Sequence, residues 1–125
     1  MKSDIVLPLP SAPGNPRNSE GSFITLHDGR ILFAYTRYNG DEWGDHDSAD
    51  IAAHYSSDGG RTWTDEHRII VPNEGDCNVM SVSMLRLQDG RVALFYIQKN
   101  SLDDCRMRMR TSTDEGETWR ERVLG

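Results

Sequence analysis

The chain has 125 residues, 36% of them hydrophobic and 27% charged, with a formal net charge of −6. This is the composition of an ordinary globular domain, and nothing in it marks disorder or a membrane span. The 14 Lys and Arg residues are scattered rather than clustered, so the electrostatic footprint of a nucleic-acid or anionic-membrane partner is missing.

At the start, Ile5-Val6-Leu7 is an apolar run that Pro8 and Pro10 interrupt before it reaches the length of a signal-peptide core. As written, the chain is expected in the cytoplasm, with secretion of a longer protein left open. The same pattern, Ile-Val-Leu-Pro, returns as Ile69-Ile70-Val71-Pro72, ahead of the second of two internal copies. Residues 1–15 are therefore read as a lone strand with its linker, preceding a first copy over 16–75 and a second over 76–125.

The first copy runs Ser22 to Leu26, Asp28-Gly29-Arg30, Ile31 to Tyr35, Ile51 to Tyr55 and then Ser56-Ser57-Asp58-Gly59-Gly60-Arg61-Thr62-Trp63. A fourth β-prone run follows at Arg68 to Pro72. The second copy repeats the order with Val82 to Leu87, Asp89-Gly90-Arg91, Val92 to Tyr96, Met107 to Thr111 and Ser112-Thr113-Asp114-Glu115-Gly116-Glu117-Thr118-Trp119. Its own fourth strand is expected to begin at Val123-Leu124-Gly125, where the sequence stops.

Fixed-period self-similarity decides architecture before any single residue does. Each Asp-Gly lies between two short β-prone runs and predicts a hairpin turn, so each copy is a meander of short strands. Arg106, Arg108 and Arg110 alternate with Met107 and Met109, the period of a strand face. Cys77 and Cys105 fall in different parts of the repeat without metal-ligand spacing, and are read as unpaired thiols.

Both copies carry Ser-x-Asp-x-Gly-x-Thr-Trp in full, at Ser56, Asp58, Gly60, Thr62, Trp63 and at Ser112, Asp114, Gly116, Thr118, Trp119. The chemistry is that of a turn. The aspartates can accept backbone hydrogen bonds, the glycines can take positive φ, and the indoles offer apolar area for packing. A cation or ligand site is the competing use of such residues; the structural use is preferred, with no metal and no cofactor.

These motifs closely resemble the Asp-box (BNR) repeats of the sialidase, or neuraminidase, superfamily. The resemblance implies an all-β chain forming part of a six-bladed β-propeller, with four antiparallel strands per blade and about four blades missing from this piece. In such a ring the lone first strand would complete the last blade, which places the piece at the start of a longer protein. The remaining blades are then its natural partners, a sugar or glycan its substrate, and self-association of the isolated piece is an open possibility.

In a meander the Asp-Gly turn and the Ser-x-Asp turn share one end of a blade. The opposite end collects Arg17, Asn18, Glu20, Arg37 and the loop from Asn39 to Ser48. From Asp28 to Asp58 is 30 positions and from Asp89 to Asp114 is 25, so the first copy carries an insertion, most simply in this loop. Long loops on a rigid scaffold commonly carry function.

By resemblance, a loop so placed holds the acid/base aspartate of a sialidase, often followed by His, and Asp45-His46 matches it. Asp41, Glu42, Asp47 and Asp50 are neighbours able to raise its pKa toward proton donation. Arg37 matches a substrate-contacting Arg near the end of strand 2. Arg17, Glu20, Arg37, His46 and Asp47 are therefore the candidate substrate-binding residues around Asp45.

Two departures argue against sialic acid as the substrate. The Arg-Ile-Pro that opens strand 1 in that family is absent, with Glu20 about where its Arg would stand and Arg17 three residues upstream. The sugar-recognising Asp before the next blade has no match in Asn78-Val79-Met80-Ser81. The expectation is a glycoside hydrolase of sialidase-like fold acting on another sugar; the alternative is a non-catalytic propeller that binds carbohydrate or protein.

Overall fold

A computed structural model describes residues 7–40 and 47–122. It contains two four-stranded antiparallel sheets, each with its strands in simple chain order. The first is β1 (Arg17–Thr25), β2 (Ile31–Tyr38), β3 (Ala49–Ser56) and β4 (Arg68–Val71). The second is β5 (Asn78–Arg86), β6 (Val92–Lys99), β7 (Cys105–Ser112) and β8 (Arg120–Arg122). Among the described residues no helix is long and apolar enough to cross a membrane.

The β1–β2 and β5–β6 hairpins close identically. Leu26 N–H bonds Arg30 C=O at 2.7 Å and Gly29 N–H bonds Leu26 C=O at 3.0 Å, while Leu87, Gly90 and Arg91 repeat both bonds. The third loop residue in each, Gly29 or Gly90, has φ of 92° or 93°, the left-handed position that a three-residue hairpin loop gives to glycine. Asp28 and Asp89 accept from the backbone N–H and side chain of Arg30 and Arg91. These bonds hold both carboxyls below the usual carboxylate range, chiefly through the backbone donor.

Residues directly opposite on neighbouring strands share a sheet face. In the first sheet Ile24, Leu32 and Tyr55 are in register, as are Ser22, Ala34 and Ala53. In the second, Met84, Leu94 and Arg110 line up. These faces meet, and Leu32, Ala34, Ile51, Ala53, Val92, Leu94 and Tyr96 form one fully buried core between the sheets. Each large apolar side chain sealed there contributes about 1.5–3 kcal/mol.

Three strand starts differ most from the sequence reading. β1 starts at Arg17 rather than Ser22, and β5 at Asn78 rather than Val82. The polar lead-ins hide these starts, and a bulge then breaks the alternation: register slips between Ser19 and Gly21 in β1, and between Met80 and Ser83 in β5. Arg17, Asn18 and Glu20 therefore belong to the strand itself and not to a segment before it. The last strand of the second sheet is Arg120–Arg122, ahead of the expected Val123. Its charged triplet has no apolar period to betray it, and residues 123–125 lie outside those described.

Candidate functional site

The end of the sheets opposite the hairpin turns is a rim tied together by amides. Asn15 Nδ2 donates to Tyr38 C=O at 2.7 Å, and Asn18 Nδ2 to Leu9 C=O at 3.1 Å, so the N-terminal arm is fastened to the edge of β1 and β2. Asp50, in register with Arg37, accepts from Asn39 Nδ2 at 2.6 Å and from Asn73 N–H at 2.8 Å. Asn73 donates onward to Ser48 Oγ and to Cys77 C=O. Asn78, fully buried, donates from Nδ2 to Asp47 C=O at 2.9 Å and so joins the second sheet to the loop of the first.

The loop residues Asp45 and His46, with their neighbours Asp41 and Glu42, lie outside the described residues. The other candidates are placed as follows. Asp47 is half-buried at the loop's exit and lends its carbonyl to Asn78. Arg17 lays its guanidinium 4.8 Å from the centre of the Tyr38 ring, its partner across the strands. A cation over an aromatic face is an attractive arrangement in its own right. Arg37 is opposite Asn18, one residue along, so Arg17 and Arg37 leave the sheet on opposite faces.

Glu20 is the extra residue of the β1 bulge. It is exposed and accepts a hydrogen bond from Ser19 Oγ at 2.8 Å. The bulge recurs in β5, where Ser81 has φ of 57° and its N–H bonds Thr36 Oγ1 across the sheets at 3.2 Å. Bulges of this kind re-aim side chains at the ends of sheets. The position where sequence comparison sought a carboxylate-binding Arg is thus an exposed carboxylate on a backbone irregularity that both sheets share.

Arg37 lies instead in a cleft of about 260 Å³ between the N-terminal arm and the first sheet, lined among others by Tyr35, His54, Asp65 and His67. His54 is buried; its Nδ1 is 2.7 Å from Thr64 C=O and its Nε2 3.2 Å from Tyr35 Oη. A carbonyl only accepts, so Nδ1–H donates to Thr64 C=O, and Nε2 faces the Tyr35 hydroxyl. Burial raises the Tyr35 pKa, with nearby Arg37 opposing; burial and then the charge of Arg37 lower that of His67. The cleft sets the Tyr35, His54 and His67 rings among the side chains of Arg37 and Asp65, a setting for hydrogen bonding to a polar group.

The repeat-equivalent place in the second sheet is filled. Tyr96 Oη donates to Glu74 Oε1, and Arg110 Nη2 pairs with Glu74 Oε2 at 2.9 Å. Glu74 comes from the connection between the sheets and locks both side chains under it. The motif comparison did not single out Tyr35, His54, Glu74, Tyr96 or Arg110. Their one signal is that Tyr35 and Tyr96 hold the same repeat position while their cross-strand companions differ.

The two Ser-x-Asp turns lie at the other end. Asp58 Oδ1 accepts from Thr62 N–H at 2.8 Å and Oδ2 from Thr62 Oγ1 at 2.5 Å, while Ser56 Oγ accepts from Gly60 N–H at 2.9 Å. Asp114, Thr118, Ser112 and Gly116 repeat these bonds at 2.9, 2.6 and 2.8 Å. Every carboxylate oxygen is spent on the turn. The threonine hydroxyls first, and then the threonine backbone, lower both aspartates to about 2. Among the described residues no cluster of three or more His, Cys, Asp or Glu is arranged to hold a metal ion.

No family model matches the chain. In sequence it is 32% identical over 118 residues to a sialidase of Paraclostridium sordellii, an alignment covering 82% of this chain and 28% of that protein. In structure it is similar to a protein of unknown function from Dyadobacter fermentans, with a TM-score of 0.75 and 18% identity over 90% of this chain and 37% of the other. It is also similar to a Hadza microbial sialidase, with a TM-score of 0.68 and 15% identity over 85% of this chain and 25% of that one. The chain therefore resembles part of a sialidase in sequence and part of another in fold, and spans less than a third of either.

Proposed function

We propose that the chain is two Asp-box blades of a six-bladed, sialidase-like propeller, and that the propeller is a glycoside hydrolase with Asp45 as its acid/base. The observation that carries this reading is the 32% identity to a sialidase along a chain built as two repeated meanders. The rim supports it as well. The loop that holds Asp45 leaves from β2 and returns at β3, between Asn39 and Ser48, whose N–H and C=O close it at 2.9 Å. A carboxyl in such a loop gives a proton to the leaving glycosidic oxygen and then activates water. This lineage departs from the two-carboxylate scheme of most glycosidases, so one acid in this portion is enough.

The substrate class follows from the charges. With Glu20 exposed on the bulge and Arg17 and Arg37 on opposite faces, the described residues do not converge on a carboxylate. A neutral terminal sugar fits this better than an anionic one. The same lack of convergence favours the second reading, a non-catalytic propeller that holds a glycan or a protein at this rim.

The test is a panel of aryl glycosides, sialosides included, assayed with a propeller completed by its further blades. Asp45→Asn should lower kcat by about 10²–10⁴-fold on the preferred glycoside with the melting temperature unchanged. Efficient sialoside cleavage would overturn the substrate assignment. An unaltered rate would remove Asp45 from the mechanism, and inactivity on every sugar would leave the binding propeller. The two sheets alone should be inactive.

A further inference from the structure

The two sheets repeat one arrangement of polar side chains, and only the second completes it. There Tyr96, fully buried, meets one carboxylate oxygen of Glu74, and Arg110 pairs with the other at 2.9 Å. Glu74 belongs to neither sheet; it lies in the connection, two residues after Pro72. In the first sheet Tyr35 holds the repeat position of Tyr96, and His54 that of Arg110. The cation is now Arg37, two residues along β2 and so on the same face as Tyr35. The counterpart of the connection is the N-terminal arm, where Pro8 matches Pro72 and Pro10 stands in the place of Glu74. Residues 9–16 contain no acid. Pro10, Tyr35 and Arg37 all line the cleft of about 260 Å³.

Arg37 is half-buried in that cleft, and among the described residues its guanidinium has neither a hydrogen-bond acceptor nor an ion-pair partner. Asp50 stands directly across from it on β3, but its two carboxylate oxygens are taken by Asn39 Nδ2 and Asn73 N–H. Asp65 also lines the cleft; it is exposed, so water screens its charge. A guanidinium has five N–H donors and no acceptor, so one withdrawn from water without a partner favours an incoming oxyanion.

We infer that this cleft binds a small monocarboxylic acid, whose carboxylate stands on Arg37 and Tyr35 as that of Glu74 stands on Arg110 and Tyr96. The body of the ligand is compact and apolar or aromatic, since Leu7, Leu9 and Trp63 are among the walls. A second carboxylate would meet Asp65 and a chain of net charge −6, which disfavours dianions. Within the chain the acid reaches Tyr96 from the connection and not from the facing sheet. It is therefore the arm, fastened to the first sheet through Asn15 and Asn18, and not a neighbouring blade, that would have to fill the cleft from within. The inference does not depend on a glycosidase activity.

Ligand-observed NMR and calorimetric titration of the full chain with benzoate, and with benzamide as its neutral counterpart, test the assignment. Benzoate should bind at least about tenfold more tightly than benzamide, the effect of one charge-assisted pair. Arg37→Gln should abolish that preference and Arg37→Lys should keep part of it, with circular dichroism melts reporting that each variant is folded. Pro10→Glu supplies the missing acid from the arm itself and should exclude benzoate, a test that stands even if the Arg37 variants fail to fold. No binding of benzoate at millimolar concentration, equal binding of benzoate and benzamide, a preference that survives in Arg37→Gln, or benzoate still bound by Pro10→Glu would each overturn the site.

Discussion

The Ser, Asp and Thr side-chain hydrogen bonds of the two Ser-x-Asp-x-Gly-x-Thr-Trp turns match one for one, and the turns differ in their tryptophans and in what lies beyond them. In the first, Gly60 and Trp63 look onto an open face, with the indole 6.0 Å from the Phe23 ring and its Nε1 bonded to Gly60 C=O at 3.0 Å. In the second, Trp119 packs against the core between the sheets, and a Cβ added at Gly116 would come within 3.1 Å of Leu32. The residue between Asp and Gly differs too: Gly59 at φ 75° becomes Glu115 at φ 59°, whose carboxylate grips Arg86 and the His27 amide. The motif dictates the turn, and the place of the turn in the stack decides what it is worth.

The largest expected asymmetry is in the tryptophans. Trp119→Ala should cost about 3 kcal/mol, as the loss of a large aromatic from a packed core does. Trp63→Ala removes a ring with solvent on one side and should cost the isolated chain about 1 kcal/mol. Urea denaturation of the two variants measures both. Equal losses would mean that the first turn is covered as well as the second, and the openness of the first sheet's outer face would be refuted.

A smaller asymmetry belongs to Glu115. A non-glycine residue at positive φ carries a strain of about 1 kcal/mol, retained here because the side chain binds Arg86 and the His27 N–H across the sheets. Glu115→Ala keeps the strain and loses both bonds, so it should destabilise by about 1–2 kcal/mol. Glu115→Gly loses the same bonds and relieves the backbone, so it should be the milder change. The reverse order in thermal melts would show that the backbone there is unstrained.

This contrast also explains what the sequence could reveal. The strands and turns were legible because alternation, Asp-Gly and the Ser-x-Asp motif are local signals repeated twice. The starts of β1 and β5 were not, since a bulge at Glu20 and another at Ser81 shift the period inside polar stretches. The side chains of the cleft and of its filled counterpart in the second sheet escaped notice for a different reason. Tyr35, His54, Glu74 and Arg110 carry no motif, and only the pairing of β2 with β3, and of Glu74 with the second sheet, brings them together. The faces of β7 are a further case. The register sends Arg110 inward, where Glu74 of the connection pairs with it, and leaves Met107 exposed on the outer face.

The smallest difference should be the response to acid, because the bonds that lower the two aspartates are the same. Asp58 and Asp114 have folded values of about 2 against an ordinary 3.8, so each contributes stability that is fully present above the unfolded value. That contribution declines as pH falls from about 4 and is lost once the folded value near 2 is passed. Asp28, Asp89 and Glu115 are lowered in the same sense and steepen the same acid limb. Urea midpoints measured from pH 7 down to pH 2 should therefore be flat at first and then drop. Asp58→Asn and Asp114→Asn should each lower the midpoint at pH 7 and each flatten the acid limb by a similar amount, since neither side chain then takes up a proton there. An acid limb unchanged by both substitutions would mean that the threonine bonds do not hold these carboxylates, and a large difference between the two would mean that burial in the stack, not the turn, governs their titration.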